Sequence, residues 1–269
     1  MIMQTTKVSI NNKIDANFIK IISILYHKKS LMETRNRGIY RKVRLLRLWL
    51  FFVIMKVMKS YNTLNDYYRK LFGEKTFKVP IDAGFDCPNR DGTVAHGGCT
   101  FCTVSGSGDA IVAPDSPIRE QFYKEIDFMH RKWPDVQKYL VYFQNFTNTH
   151  EKVEVIRERY EQAINEPGVV GINIGTRPDC LPDETIEYLA ELSERMHVTV
   201  ELGLQTTYEA TSDLINRAHS YELYVETVKR LRKYPKIEIV SHLINGLPGE
   251  THEMMIENVR RCVTDNDIQ

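Results

Sequence analysis

Long apolar runs are missing from this chain. No stretch reaches the roughly 18 residues that a bilayer-spanning helix needs, so no membrane span is expected. Cysteine is sparse, with five among 269 residues, which excludes a disulfide-stapled scaffold. Glycine (14) and proline (10) show no excess, which rules out collagen-like and low-complexity architectures. The 42% hydrophobic and 26% charged content is that of a globular chain rather than a disordered one. A chain of this length buries a sizeable core as one or two domains.

Net charge is also nearly absent, at +1, but the balance conceals two unlike segments. Residues 1–57 hold twelve Lys and Arg against two acids, Asp15 and Glu33, a surplus of ten positive charges. The remainder, with 24 basic and 33 acidic residues, carries a surplus of nine negative ones. A break this sharp divides the chain into a basic extension, 1–57, and a core domain, 58–269. The extension ends in Leu48–Met55, eight apolar residues behind a basic stretch. That order resembles a signal peptide, but it lies too deep in the chain and lacks a small-residue cleavage site. Three readings stand: a basic arm that binds nucleic acid, an amphipathic membrane contact, or residues upstream of a start at Met55 or Met58.

From Lys59 on, strand and helix patterns alternate. Periodicity places helices over 61–72 (with Asn62 as cap), 118–131, 152–165, 183–196, 210–217, 221–233 and 250–263. Strands are expected at 76–81, 138–143, 169–174, 198–202 and 237–243. Strands separated by single helices imply right-handed βαβ units and a parallel sheet, of a size that suits a barrel or part-barrel. In such folds the chemistry sits at the carboxyl ends of the strands. The unusual residues fall there: Cys87 after the first strand, Gln144–Thr149 after the second and Gly175–Asp179 after the third. Glu201–Thr206 closes the fourth, and Asn245–Glu250 follows the fifth. Any one of these loops is also consistent with ordinary turn chemistry; five in succession form a pattern.

The sharpest signal is Cys87, Cys99 and Cys102, spaced C-x11-C-x2-C. Cys99-Thr100-Phe101-Cys102 can turn two thiolates toward one centre, and Gly92, Gly97 and Gly98 make the intervening loop pliable. Thiolates bind zinc or an iron–sulfur cluster. A structural zinc would want a fourth ligand, for which Cys180, His96 or a distant histidine are candidates. Three cysteines without a clear fourth suit a four-iron cluster with one iron open to a ligand. A zinc knuckle, a redox pair and inert buried thiols are the competing readings. Cys180 and Cys262 read as small hydrophobes, and His150, His219 and His242 as structural.

Asp82-Ala83-Gly84-Phe85-Asp86-Cys87-Pro88-Asn89-Arg90-Asp91-Gly92-Thr93, Gly97-Gly98-Cys99-Thr100-Phe101-Cys102 and Ser105-Gly106-Ser107-Gly108-Asp109 together resemble the YtqA/YhcC-like family of radical S-adenosylmethionine (SAM) proteins. That family is similar to the radical SAM domain of the elongator catalytic subunit. The likeness runs from about Tyr61 to the C-terminus. It implies an α/β fold, a partial (βα)6-type barrel of parallel strands. It also implies a [4Fe–4S] cluster held by Cys87, Cys99 and Cys102, with SAM on the open iron. Phe101 would shield the cluster near the adenine. Asn145, Thr147 and Asn148 stand where the second strand usually meets the SAM amino group, although the familiar Gly-Gly-Glu is absent. Glu201 and Gln205 would meet the SAM ribose or carboxylate, and Arg217 its carboxylate. Arg177 is a further site residue, and Gly246 and Gly249 would let backbone approach the adenine.

The resemblance further implies reductive SAM cleavage, a cytoplasmic setting and an electron donor such as flavodoxin or ferredoxin. By analogy with the elongator relative, the substrate would be a tRNA wobble uridine. The family's chains run on past Gln269 with another strand, so the part-barrel would lack its last strand, leaving a fifth-strand edge exposed. The rival readings are a zinc-stabilised binding module and a remnant that cleaves no SAM.

Overall fold

A computed structural model of the chain describes residues 62–106 and 111–265. The basic extension 1–57, the Ser107–Asp109 end of the glycine-rich motif and the last four residues lie outside the described residues. The chain divides into two units, Met1–Tyr67 and Tyr68–Gln269. In the first, helix α1 (Leu64–Phe72) begins. Its cap is Thr63 rather than the expected Asn62: Thr63 Oγ1 accepts the Asp66 N–H at 3.1 Å and donates to Asp66 Oδ2 at 2.7 Å. A short hydroxyl side chain one residue nearer the first turn satisfies an orphan amide donor there.

The second unit is a five-stranded parallel sheet in sequential order. Its strands are β1 (Thr76–Ile81), β2 (Lys138–Phe143), β3 (Val169–Thr176), β4 (His197–Gln205) and β5 (Ile237–Leu243). Helices return between them: α2 (Ile118–His130), α3 (Val153–Ile164), α4 (Asp183–Ser193), then α5 (Glu209–Leu214) with α6 (Tyr221–Leu231). Helix α7 (His252–Arg260) follows β5 and ends in a wide turn, Arg261–Asp265. All five expected strands form, with β3 and β4 running further than the periodicity indicated. Sequential parallel order with one crossover per step is the topology of a barrel segment.

The two faces of the sheet differ in kind. Phe77, Val79, Ile81, Val141, Phe143, Ile172, Ile174, Val198, Val200, Leu202 and Ile239 point into one hydrophobic core with the helices. Burying each such side chain stabilises by about 1.5–3 kcal/mol relative to exposure. Phe143 and Tyr160 of α3 stack within this core at 4.5 Å. The alternate positions, on the opposite face, carry Lys78, Tyr142, Asn173, Glu201 and His242. Pro80, which has no N–H to give, is accommodated because β1 pairs only with β2 among the described residues. Among the described residues no helix is long and apolar enough to cross a membrane.

Candidate active site

The loops at the carboxyl ends of the strands converge on the three cysteines. After β1 the chain runs to Cys87, whose carbonyl accepts the Arg90 N–H at 2.7 Å and the Asp91 N–H at 3.0 Å. This tight turn buries Asn89 completely. Asn89 Nδ2 donates to Cys99 Sγ at 3.4 Å and also to the Asn216 carbonyl. Asn216 answers with its own amide, donating to Gly98 O at 2.8 Å and His96 O at 3.1 Å. The Thr100 N–H reaches Ile215 O at 3.0 Å. The cysteine loop is thereby fixed to the segment after α5, although more than 110 residues separate them in sequence.

Cys99 and Cys102 form one turn, closed by Cys102 N–H to Cys99 O at 3.0 Å. Their thiols interact directly. The Cys99 thiol is held down at about 6, first by the hydrogen bond from Cys102, with help from Asn89 and the charges of Arg177 and Arg217, against a burial effect that works upward. The same bond pushes Cys102 up, as do its burial and the charges of Cys99 and Cys87. All three thiols are half-buried. Among the described residues no three Cys, His, Asp or Glu side chains are drawn as close as a bound metal ion would hold them.

Two buried guanidinium groups flank the thiols. Arg217 is 1% exposed. It donates to the carbonyls of Leu204 (2.6 Å), Thr206 and His219 (3.0 and 2.7 Å). Arg177 forms a two-pronged pair with Asp179 (2.9 and 2.7 Å) and donates to Arg217 O at 2.8 Å. Each fork is engaged by protein acceptors, and the positive field of both reaches the thiols. His219, buried beside them, is pushed down to about 4 by burial and by the two arginine charges.

The backbone around these groups is strained. Gln205, Asn216, Ala218 and Phe146 all have left-handed φ, between 52° and 61°. Such conformations cost a non-glycine residue of order 1–3 kcal/mol and cluster at functional sites. At Gln205 the strain coincides with a register shift between β4 and β5, as expected of a bulge at the rim of a sheet. Gly246 takes φ +87° with nothing within 4 Å of where a Cβ would stand, so backbone conformation rather than crowding selects glycine there. Gly249 takes φ +82°, with only Leu214 Cδ1, at 4.0 Å, near where a Cβ would stand.

The remaining expected residues take distinct places. Phe101 is half-buried beside the thiols. Asn145, at the end of β2, donates to Asp82 Oδ2 at 2.6 Å, while its own Oδ1 is buried without a partner. Thr147 is buried, its N–H on Asp86 O at 3.2 Å. Asn148 is fully buried and donates to Phe143 O (3.0 Å) and Gly175 O (2.8 Å), tying β2 to β3. Glu201 is not at the mouth with the others; it lies on the inner face, saturated by Lys78, Asn173 and His242. Cys180 is buried and its thiol is pushed well up, chiefly by burial, which leaves it an inert thiol. A groove of about 630 Å³, lined by Pro88, Thr93, His150, Asp179, Cys180 and Arg230, runs beside the cysteine loop.

The sequence reading passed over Asn89, Asn216 and Lys78. Asn89 and Asn216 are ordinary loop residues by type, and only the long-range closure between them gives them a role. Lys78 is a lone charge inside an apolar strand, a signal that could have been followed.

The donor set fits a thiolate-held cluster. Cys99 and Cys102 are in contact and the charge of Cys87 acts on Cys102, all three are soft ligands, and two buried cations favour the ionised thiols.

Residues 90–262 match the Radical SAM superfamily, a match that begins three residues after Cys87. The chain is 56% identical over 211 residues to YtqA of Bacillus subtilis, covering 78% of this chain and 65% of that protein. It is 38% identical over 210 residues to YhcC of Escherichia coli K12, covering 78% of this chain and 66% of that protein. The chain thus spans just under two thirds of the length of these relatives. Among solved structures, the archaeal Methanocaldococcus infernus Elp3 superposes with a TM-score of 0.51 at 17% identity, over 72% of this chain and 43% of that one. That likeness concerns the fold. With its parallel part-barrel and its cysteine loop at the strand ends, the chain belongs to the radical SAM superfamily.

Proposed function

We propose that this chain is a radical SAM enzyme whose Cys87, Cys99 and Cys102 hold a [4Fe–4S] cluster and whose strand ends bind SAM. The observation that carries the reading is the cysteine loop itself: Cys99 and Cys102 closed into one turn and locked to the segment after α5 by Asn89 and Asn216, with two buried arginines whose charge acts on the thiol of Cys99. When bound, the cluster and SAM supply reductive cleavage of the sulfonium, giving a 5′-deoxyadenosyl radical. The protein's part is to hold and shield. Asn89 and Asn216 lock the cysteine loop. Arg177 and Arg217 supply positive charge that offsets the thiolates, and their forks staple the β3 and β4 ends. Phe101 covers one side. Asn145, with its unpartnered Oδ1, is the strand-two residue best placed to accept from the SAM amino group, while Gln205, Gly246 and Gly249 shape the rim. Thr147 and Asn148 support that rim from below.

In this reading residues 58–269 form the catalytic core and residues 1–57 are a basic extension of it. A cytoplasmic setting and a flavodoxin- or ferredoxin-like donor suit a reducible cluster. For the substrate, a tRNA wobble uridine rests on analogy with the elongator relative, and distant relatives support tRNA as the substrate class but not the uridine. One is the tRNA-2-methylthio-N(6)-dimethylallyladenosine synthase of Thermodesulfovibrio yellowstonii, 30% identical over 168 residues and 58% of this chain. Fold alone does not dictate a substrate.

The test is anaerobic reconstitution with iron and sulfide, reduction, addition of SAM and assay of 5′-deoxyadenosine, with Cys102→Ala in parallel. Formation in the parent chain and loss in the variant is expected. A folded chain that retains zinc, or holds a cluster and never cleaves SAM, overturns the reading. Mass analysis of tRNA nucleosides after turnover tests the substrate.

A further inference from the structure

The inner face of the sheet carries a polar network to which every strand contributes one side chain: Lys78 from β1, Tyr142 from β2, Asn173 from β3, Glu201 from β4 and His242 from β5. Glu201 is the hub. Its carboxylate is 1% exposed. Oε1 accepts from Lys78 Nζ and from Asn173 Nδ2 at 2.8 Å, and Oε2 accepts from His242 Nε2 at 2.8 Å. Tyr142 adjoins the same carboxylate, whose charge and burial push its hydroxyl well up, burial first, and the Lys78 ammonium lies 4.3 Å from the centre of its ring. Burial works to raise the Glu201 carboxyl, but the His242 bond and the Lys78 charge outweigh it and hold the group well below the usual carboxylate range.

An ionised carboxylate only accepts. His242 Nε2 must therefore carry the proton that points at Glu201. In the neutral ring this leaves the lone pair on Nδ1, so the hydrogen bond at one nitrogen sets the chemistry of the other. Glu201 is sealed, whereas the side chains of His242 and Lys78 remain 23% and 20% exposed. The partly exposed side chains of the network are thus those of a base and a cation, not that of the acid that aligns them. Asn173 Oδ1, fully buried, has no partner.

We propose that Glu201 is a positioning residue that fixes His242 in its Nε2–H form, and that His242 Nδ1 is the proton acceptor for an O–H or N–H group of the substrate. The substrate's O–H or N–H bond breaks, its electron pair stays on the substrate heteroatom, and the proton moves to Nδ1. No electron is transferred in this step. Glu201 stabilises the imidazolium, and Lys78 faces the developing negative charge. The inference rests on the radical SAM reading only for placing substrate on the inner face.

Two measurements on the full chain test it, both without cluster or SAM, so their outcome is independent of the 5′-deoxyadenosine assay. In ¹⁵N-histidine-labelled protein at a pH where the ring is neutral, two-bond ¹H–¹⁵N spectra, assigned with H242Q, should show a single Nε2–H tautomer for His242. An Nδ1–H tautomer would overturn the proposal. Diethyl pyrocarbonate, which attacks unprotonated ring nitrogens, should label the His242 peptide alongside those of the exposed His96 and His252. If His242 stays unlabelled while those two react, Nδ1 is out of reach and the proposal fails. The labelling readout on the parent chain needs no variant. Where E201Q folds, its tautomer should become mixed, and an unchanged single tautomer there would remove Glu201 from the role.

Discussion

Arg177 Nη1 donates to the backbone carbonyl of Arg217 at 2.8 Å, so the loop after β3 grips the segment that carries the second arginine. Arg217 in turn binds carbonyls at the end of β4 and at His219. Two charged side chains thereby act as backbone staples at the rim of the sheet. On either side of Arg217, Asn216 and Ala218 take left-handed φ, strain that the bonds of Arg217 offset.

Arg217→Lys keeps the charge but loses the planar fork. A lysine cannot serve three carbonyls in this geometry, and each buried acceptor left alone costs about 1–3 kcal/mol. The variant should lose about 3 kcal/mol of stability, read by urea denaturation. Loss of SAM affinity with unchanged stability would show that Arg217 acts on ligand instead of on backbone.

Asn148→Asp tests the tie between β2 and β3. The amide donates to Phe143 O and Gly175 O in a fully buried position. A carboxylate there would face two carbonyls with no donor, and burial of an unpaired charge is strongly unfavourable. Thermal unfolding should show destabilisation of about 3 kcal/mol, easing as acid protonates the new group and lets it donate. A wild-type melting temperature would sink the assignment.

Gly171 lies on β3 where its strand passes β4. A Cβ there would stand 2.4 Å from His197 O and 2.9 Å from Leu140 Cδ2. The backbone cannot yield without spreading the β3–β4 register, so Gly171→Ala should cost about 1–3 kcal/mol despite adding one methyl group. A chemical-denaturation midpoint equal to that of the parent would contradict the close approach.

Much of this architecture is legible in the sequence because hydrophobic alternation and helix periodicity are local. Val79, Val141, Ile172 and Val200 announce their strands within six-residue windows, and the cysteine spacing points to the site without any structure. What is not legible is closure. Nothing local says that Asn89 will meet Asn216, or that Lys78 and His242 will share Glu201 across the sheet. His242 reads as a structural histidine in sequence because its partner lies 41 positions away. Thr63 displaced Asn62 as the cap of α1 for a smaller reason: two adjacent residues were both competent, and boundaries are the weakest part of a pattern reading.

The thiol pair gives the sharpest dependence on pH. Cys99 is depressed to about 6 from the ordinary thiol value of 9.0, primarily by the bond from Cys102. A depressed value means that the folded state binds the Cys99 proton less tightly than the unfolded chain does. Its contribution to stability is therefore complete above pH 9 and is lost as pH falls toward 6. In the cluster-free chain under reducing, anaerobic conditions, iodoacetamide should alkylate Cys99 with a midpoint near pH 6, while Cys180, buried and pushed up, stays unmodified at pH 7. Cys102→Ala removes the donor, so the Cys99 midpoint should move upward toward an ordinary thiol. Peptide mass spectrometry across pH 5–9 reads both. A Cys99 midpoint near 9 in the parent chain would mean that the two thiols do not share a proton, and the preformed thiolate site would have to be abandoned.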